Sequence, residues 1–403
     1  MDEKIYPTDS KGRWLAANKY GVFGFYSDLT KYNRTRFDYL KACLDLSLEE
    51  NVQLVEFRRS NFGGLYYLDN NLDKVYIQPE EELEMLTEFK KNYIRENPQL
   101  IDFVFVIYGS RSRSRSDINS TLETSLRLQS KFPQMIRGFD LVGEEDQGHT
   151  LLFHSDTLMR GFNYSQSSNG TFNLIFHTAE TNWPEDMEPS KFGDAVSTLN
   201  NIYDSIILRT SRVGHGIGLI KHPELYQYLI ERGIAIEACP ASNQILGYVS
   251  DLRNHPAINF FRSGIPIVLA GDDPGSFGYN DLTVDYYLAY MAWGLDLYDL
   301  KIIANNSIKY SSIPHELKKI GYEKFEKEWV NFIDEAYQDV CLKRDSYSQV
   351  NVSNLLPTFG PASKQVELSI FGIGFEKAIC QKIACLFNDI KTEAIMIGIG
   401  EIQ

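Results

Sequence analysis

Short apolar runs alternate with longer amphipathic stretches over most of this chain. Continuous apolar character, without polar residues at every second position, is typical of strands buried on both faces of a parallel sheet. The stretches between the runs have helical periodicity, and one of them ends at Gly233, a typical helix stop. This β-then-α order predicts a parallel α/β fold. The seven runs cover residues 52–58, 101–109, 136–143, 172–177, 211–216, 234–239 and 265–273.

The number of predicted strands is one short of a closed barrel. A TIM-like (β/α)8 barrel needs eight strands, and only "YGVFGFY" and the helix-like "FDYLKACLDLSLEEN" precede residue 52. We therefore expect a barrel over residues 1–345 whose first strand is missing. Residues 346–403 are expected to form a tail with an amphipathic helix, because apolar residues there recur at helical spacing: Phe375, Ile379, Ile383, Leu386, Phe387 and Ile390.

Composition excludes several classes of partner. The net charge of −14 argues against binding to nucleic acid, which requires a basic face. No apolar run is long enough to span a membrane. Five cysteines, an odd number without zinc-finger spacing, favour neither a disulfide scaffold nor a cysteine-bound metal. Six Asn-x-Ser/Thr motifs suggest secretion, whereas the N-terminal residues lack the apolar core of a signal peptide.

Polar residues follow the predicted strands at their carboxyl ends. Those ends form one rim in a parallel barrel, and the rim carries the reactive groups. Taken singly, each residue has a simpler interpretation: a strand-end histidine is usually a hydrogen-bonded structural residue, and two aspartates before a proline usually cap a helix. Together they place imidazoles and carboxylates on one rim: Asp140, Gly143, His177, Glu180, His215, Asp272 and Asp273.

This set of side chains suits metal-assisted hydrolysis. Imidazole nitrogen and carboxylate oxygen are good zinc ligands. Bound zinc lowers the pKa of water from 15.7 to about 7, and a second histidine can hold and deprotonate that water. A partly buried carboxyl such as Glu180 can have a raised pKa and act as an acid.

Several motifs at these positions resemble those of a known family. "FHTAE", "RVGHG", "CPASNQ" and "GDDP" are similar to the strand-end signatures of adenosine deaminases. The longer segments "GFDLVGEEDQGH", "RVGHGIGLIKHP" and "SNQILGYVSDLRNHP" resemble the adenosine deaminase-related growth factors, the extracellular type-two branch. The resemblance covers about residues 5 to 340, so the tail has no counterpart in the family.

The resemblance implies a function and a role for each rim residue. The reaction would be zinc-dependent hydrolysis of adenosine, and of 2'-deoxyadenosine, to inosine and ammonia by a secreted homodimer. His177 and Asp272 would bind zinc, His215 would position and deprotonate the zinc-bound water, and Glu180 would protonate purine N1. The backbone N–H of Gly143 would contact N3, and Asp273 would contact N7.

Two departures from the family pattern stand out. The family's first strand ends in His-x-His, which supplies two more zinc ligands, but no histidine precedes His149 here. The family's dimerising N-terminal helices and secretion signal also lack counterparts. The second departure is smaller: Thr178-Ala179 stands where the family usually has Ala-Gly.

The missing histidines determine what we expect of the chain as written. It should be a truncated product that binds zinc weakly, is inactive on adenosine and is poorly soluble. Two alternatives stay open. One is a catalytically inactive barrel that binds a nucleoside or a receptor. The other is a different metal-dependent amidohydrolase, although such enzymes usually carry a carboxylated lysine, and no strand-end lysine is evident.

Overall fold

A computed structural model of the chain describes residues 23, 29–60, 62–181, 200–279, 282–339, 351–358 and 367–373, together with the backbone of 383–387, 390–394, 396–398 and 401–402. The opening segment, on which the expectation about the family's N-terminal region rests, lies outside the described residues. The chain divides into two units, Met1–Tyr322 and Glu323–Gln403. The predicted boundary at residue 345 therefore falls within the second unit.

The first unit is built on seven parallel strands. In chain order, with a small hairpin as β2 and β3, the strands are β1 Leu54–Arg59, β2 Tyr66–Leu68, β3 Lys74–Tyr76, β4 Asp102–Ser110, β5 Ile136–Val142, β6 Asn173–Thr178, β7 Arg212–His215, β8 Ala235–Ala238 and β9 Ile267–Leu269. The main sheet has the order β1-β4-β5-β6-β7-β8-β9, with every neighbouring pair parallel. All seven predicted strands are confirmed.

Helices follow most strands and complete the alternation. They are α1 Asn33–Glu49, α2 Pro79–Glu96, α3 Arg115–Lys131, α4 Ser155–Ser167, α5 Asn201–Ile207, α6 Tyr226–Arg232, α7 Pro240–Ile245, α8 Ala257–Arg262, α9 Pro274–Phe277, α10 Thr283–Trp293, α11 Leu297–Tyr310 and α12 His315–Tyr337. The predicted stop at Gly233 is observed, because this residue ends α6 with a φ of 64° that disfavours any side chain. Among the described residues, no helix is both long and apolar enough to cross a bilayer.

Charged side chains inside the sheet show that it curls into a barrel. Arg58 of β1 contacts Asp140 of β5 at 2.7 Å and Glu237 of β8 at 2.6 Å. Arg212 of β7 contacts Glu237 and reaches Glu56 of β1, each at 2.5 Å. Since β1 lies at one end of the sheet and β7 and β8 lie near the other, the sheet must bend back on itself. We call these five residues the interior charge network.

The expected TIM-like architecture is therefore confirmed as a partial (β/α) barrel. Among the described strands, β1 and β9 are the two ends of the sheet and do not pair with each other. The hydrophobic core lies mainly between the strands and the helices. Phe103 and Phe105 of β4 pack there with Leu83 and Leu86 of α2, all fully or nearly fully buried. Burial of each such side chain contributes about 1.5–3 kcal/mol to the stability of the fold.

The second unit corrects one prediction. Its strands are β10 Asn351–Leu356, β11 Ser369–Ile373, β12 Ile383–Phe387, β13 Ile390–Ala394, β14 Met396–Gly398 and β15 Glu401–Ile402. The amphipathic helix predicted across this region is wrong where the backbone is described, because β12 and β13 form an antiparallel pair. Short apolar runs on either side of Asn388-Asp389 suit a hairpin, and so short a run does not distinguish helix from strand. Phe375 and Ile379 lie outside the described residues.

Candidate metal and catalytic site

Three side chains with metal-binding atoms meet on the rim of the barrel. His177 lies in β6, His215 ends β7, and Asp272 follows β9. Their ligand atoms all lie within 4.8 Å of one another. Two imidazoles and a carboxylate are a donor set that zinc accepts. The structure thus brings together three of the residues that the sequence singled out.

Glu180 belongs to the same cluster. Its Oε1 atom lies 3.6 Å from Nε2 of His215, which in turn lies 3.9 Å from Oδ2 of Asp272. Both distances are too long for direct hydrogen bonds. The three side chains therefore border a space that an additional oxygen atom could occupy.

The backbone is strained where it delivers these side chains. Ala179, His215 and Asp272 have φ values of 59°, 62° and 60°. Residues with side chains avoid this left-handed region, at a cost of roughly 1–2 kcal/mol each. Strain of this kind is characteristic of functional sites. Here it turns the chain sharply at the ends of β6, β7 and β9, so that the side chains face one space.

Asp140 fixes the orientation of His177. Its carboxylate accepts the ring Nδ1–H at 2.8 Å and the backbone N–H at 3.1 Å. Because Nδ1 donates to Asp140, Nε2 is the ring nitrogen that remains to hold a ligand. Burial would raise the pKa of Asp140, but the charges of His177 and Arg58 outweigh it and hold the pKa well below its usual value. Asp140 therefore stays ionised at neutral pH and keeps its hydrogen bond to Nδ1 of His177.

Glu180 has the properties of a buried acid. Within the described part of the chain its Oε1 atom has no hydrogen-bond partner, and the residue is only 2% exposed. Burial, with the charges of Asp272 and Glu145, raises the pKa of Glu180 well above its usual value. The side chain therefore keeps its proton to a higher pH than an ordinary carboxyl, as a proton donor requires.

Glu145 holds the backbone that presents Glu180. Its fully buried carboxylate accepts the backbone N–H groups of Ala179 at 3.1 Å and of Glu180 at 2.7 Å. It also accepts a hydrogen from the Asn201 side chain at 2.7 Å. Glu145 was not predicted as a site residue, although it lies within the quoted motif "GFDLVGEEDQGH".

Hydrogen bonds link His215 to Asn243 and, through it, to His255, and neither of these residues was predicted as a site residue. Nδ1 of His215 lies 3.0 Å from Nδ2 of Asn243, and Oδ1 of Asn243 lies 3.0 Å from Nε2 of His255. The backbone N–H of Ala257 donates to Nδ1 of His255 at 3.1 Å. Burial lowers the pKa of His215 to about 4, so its ring is neutral at neutral pH.

The two expected substrate contacts lie on the same rim. Gly143 directly follows β5 with a φ of 100°, a conformation that favours glycine. It lies next to Arg111, whose guanidinium donates to the carbonyl of His177. Asp273 follows Asp272 at the start of α9, where burial and then the charge of Asp272 raise its pKa to about 7.

A cleft of about 430 Å³ opens at the carboxyl end of β4. Hydroxyl groups dominate its polar lining, from Ser60, Tyr108, Ser110, Ser120 and Thr121. Gly109 and Ser110, which line the cleft, are the last residues of β4, so the cleft lies on the rim.

Comparison with known proteins identifies the family. Residues 110–327, just over half of the chain, match the family described as adenosine deaminase. The chain belongs to the adenosine deaminase family. The family resemblance inferred from the rim motifs is thereby confirmed, and all the rim residues discussed above lie within the matched range.

Relatives in this family come from distant organisms. Adenosine deaminase 2 of Sus scrofa is 33% identical over 317 residues, which are 78% of this chain and 58% of that protein. Adenosine deaminase 2 of Homo sapiens is 33% identical over 315 residues, with 77% and 58% covered. The adenosine deaminase of Phlebotomus duboscqi is 34% identical over 324 residues, with 79% and 58% covered. The chain thus spans a little over half the length of these relatives.

Solved structures share the fold at lower identity. The adenine deaminase of Arthrobacter aurescens has a TM-score of 0.61 at 17% identity, over 82% of this chain and 88% of that one. A zinc-bound amidohydrolase from Burkhoderia ambifaria has a TM-score of 0.58 at 16% identity, over 75% and 74%. These similarities support the barrel architecture.

Proposed function

We propose that the protein catalyses the hydrolytic deamination of adenosine, and of 2'-deoxyadenosine, to inosine and ammonia with the help of zinc. The observation that carries this proposal is the position of Glu180, a buried carboxyl with a raised pKa that borders the same space as His177 and Asp272. Membership of the adenosine deaminase family and relatives named adenosine deaminase 2 support it. On the same resemblance we propose that the protein is secreted.

The donor set fits a zinc ion in part. His177, oriented through Asp140, presents a free Nε2, and Asp272 presents a carboxylate oxygen within reach of it. Zinc, when bound, lowers the pKa of a water molecule and so supplies hydroxide at neutral pH. A catalytic zinc usually has three protein ligands. With two proposed among the residues that the structure describes, we expect binding to be weak and activity to require added zinc.

The other rim residues would act on the purine. The carboxyl of Glu180 would protonate N1 as C6 is attacked, and general acid help of this kind is worth about 10²- to 10⁴-fold in rate. The backbone N–H of Gly143 would donate to N3, since a ring nitrogen there is an acceptor. Asp273 would contact N7. His215 faces the space for the attacking oxygen, which lies between it, Glu180 and Asp272.

The cleft beside Tyr108 suits the sugar of a nucleoside. Its hydroxyl groups can both donate to and accept from ribose hydroxyls. The chain's net charge of −14 would repel a polynucleotide. The proposed substrate is therefore a free purine nucleoside.

The test uses the full chain with zinc supplied in excess. Ultraviolet absorbance and ammonia release should both report conversion of adenosine to inosine. Glu180→Gln should keep the zinc and lose at least about 10²-fold in turnover, because an amide cannot give up that proton. Asp102→Asn is the matched control, since Asp102 is buried and paired with Lys90 at the start of β4, at the opposite end of the strand from the rim, and it should keep turnover.

Two outcomes would contradict the proposal. Normal turnover by Glu180→Gln would remove this residue from the reaction. Binding of adenosine without any conversion, at saturating zinc, would instead support the inactive nucleoside-binding barrel.

A further inference from the structure

A chain of hydrogen bonds runs from the backbone of α8 to His215. It passes from the N–H of Ala257 to His255, then to Asn243, then to Nδ1 of His215, with distances of 3.1, 3.0 and 3.0 Å. All three residues are at most 2% exposed. Water therefore does not compete for these hydrogen bonds, and their directions must agree with one another along the whole chain.

The backbone end settles the direction of every bond. A peptide N–H can only donate, so Nδ1 of His255 accepts. Burial lowers the pKa of His255 to about 3, so its neutral ring carries its single hydrogen on Nε2. That hydrogen is donated to Oδ1 of Asn243, which leaves the amide NH₂ group facing His215.

The opposite orientation of the amide is excluded. With the amide reversed, its NH₂ group would face Nε2 of His255, and both nitrogens of that ring would have to accept. A ring without any hydrogen is not available in a buried, uncharged setting. Asn243 therefore donates to Nδ1 of His215, and that nitrogen carries no hydrogen.

We propose that Asn243 and His255 are positioning residues that hold neutral His215 with its hydrogen on Nε2. In that form Nε2 can donate a hydrogen bond but cannot accept a proton or bind a metal. His215 would then donate to the attacking oxygen, a role that rests on the proposed function. The tautomer itself follows from the hydrogen bonds alone.

The proposal gives the two rim histidines opposite tautomers. Nδ1 of His177 donates to Asp140, which leaves Nε2 as the nitrogen that can bind zinc. Nδ1 of His215 accepts from Asn243, which leaves Nε2–H directed toward the space beside Glu180 and Asp272. His177 is thus the metal ligand and His215 the donor. This differs from the family-based expectation that His215 deprotonates the water.

Nitrogen NMR of the full chain labelled with ¹⁵N-histidine tests the tautomer directly, because protonated and unprotonated ring nitrogens resonate far apart. His215→Gln and His255→Gln each remove one set of signals and so assign the spectrum. We expect His215 to show an unprotonated Nδ1 and a protonated Nε2, both without metal and after saturation with Zn²⁺. A hydrogen on Nδ1 of His215, or a shift of its Nε2 signal typical of a zinc ligand, would overturn the proposal.

Asn243→Asp provides a second measurement. A carboxylate of the same size can only accept, so it should draw the hydrogen of His215 onto Nδ1 and reverse the tautomer. Asn306→Asp, at a position that bonds the carbonyl of Ile267, is the matched control and should leave the tautomer unchanged. An unaltered His215 signal in folded Asn243→Asp would contradict the proposal, and if that variant does not fold, the spectrum of the unsubstituted chain decides. These spectra need no turnover, so loss of the proposed activity and failure of this inference are distinguishable.

Discussion

Asp140 holds His177 by two hydrogen bonds, one to ring Nδ1 and one to the backbone N–H of the same residue. A single carboxylate thus fixes both the position of the strand end and the rotation of the ring. It also receives a hydrogen bond from Arg58 at 2.7 Å, which links the metal side of the rim to the interior charge network.

Replacing Asp140 by asparagine should weaken zinc binding about 10- to 100-fold, the usual effect of losing a residue that orients a metal ligand. Competition with a chelator measures this affinity. Asp102→Asn is a matched control, because Asp102 is also buried and paired with a cation, Lys90, but lies at the start of β4, at the opposite end of the strand. Equal zinc affinity in the two variants would contradict a role for Asp140 in orienting His177 toward the metal.

Arg58→Met should destabilise the fold by about 3–5 kcal/mol, the range for breaking a buried ion pair by removing one member. Burial would raise the pKa of Glu237, but the charges of Arg58 and Arg212 outweigh it and lower the pKa to about 2. Without Arg58, both Glu237 and Asp140 lose a counter-ion. Urea unfolding measures the change.

Arg127→Met is the control for that measurement. Arg127 forms an ion pair with Glu80 on the surface, and its side chain is 47% exposed. Such pairs contribute about 0–1 kcal/mol. A loss at Arg58 no larger than that at Arg127 would argue against the interior charge network as a stabilising element.

Ala179 offers a test of the strained turns. Ala179→Gly should change stability by less than about 1 kcal/mol, because relief of the left-handed conformation is offset by the greater chain entropy of glycine. Ala179→Val should cost about 1–3 kcal/mol, since branched side chains fit that conformation poorly. Thermal unfolding of the two variants would show this asymmetry, and equal effects would contradict the assigned φ of 59°.

Acid should destabilise the protein through two buried histidines away from the metal ligands. Burial lowers the pKa of His154 to about 4 and of His255 to about 3, against an ordinary value of 6.5. The unfolded chain therefore binds protons that the folded chain does not. The stabilisation is fully present above pH 6.5 and is lost as the pH falls toward those lower values.

Unfolding in urea at several pH values between neutrality and about pH 4 checks this. The urea concentration at the unfolding midpoint should fall over that range, by an amount that corresponds to a few kcal/mol in the free energy of unfolding. His154→Leu cannot titrate and should show a shallower decline. An identical pH dependence with and without His154 would rule out its contribution.

The predictable parts of this protein are those with a local signature. Seven continuous apolar runs predicted seven strands, and polar residues at their ends predicted the rim. The contacts between Arg58, Asp140 and Glu237 could not be predicted, because they join positions far apart in sequence that meet only when the sheet curls. Their sequence signal is limited to charged residues inside the mostly apolar predicted strands: Glu56, Arg58, Asp140 and Glu237.

Two other features needed the structure for different reasons. The hydrogen-bond chain through Asn243 and His255 depends on the direction of one backbone N–H, which no residue pattern reveals. The apolar spacing predicts a helix where the pair β12–β13 lies, because runs this short fit both helical and strand periods. The left-handed turn at Ala179 did leave a trace, since the family usually has glycine there.

At the strained turns at residues 179, 215 and 272, a substitution of the side chain and a change in the course of the backbone have different consequences for this barrel. Substituting the side chains that the turns present alters the chemistry while the loops keep their course. Changing the turns themselves moves several reactive groups at once. A lineage with this scaffold can therefore explore new substrates one side chain at a time, provided that the backbone at the three strand ends is inherited intact.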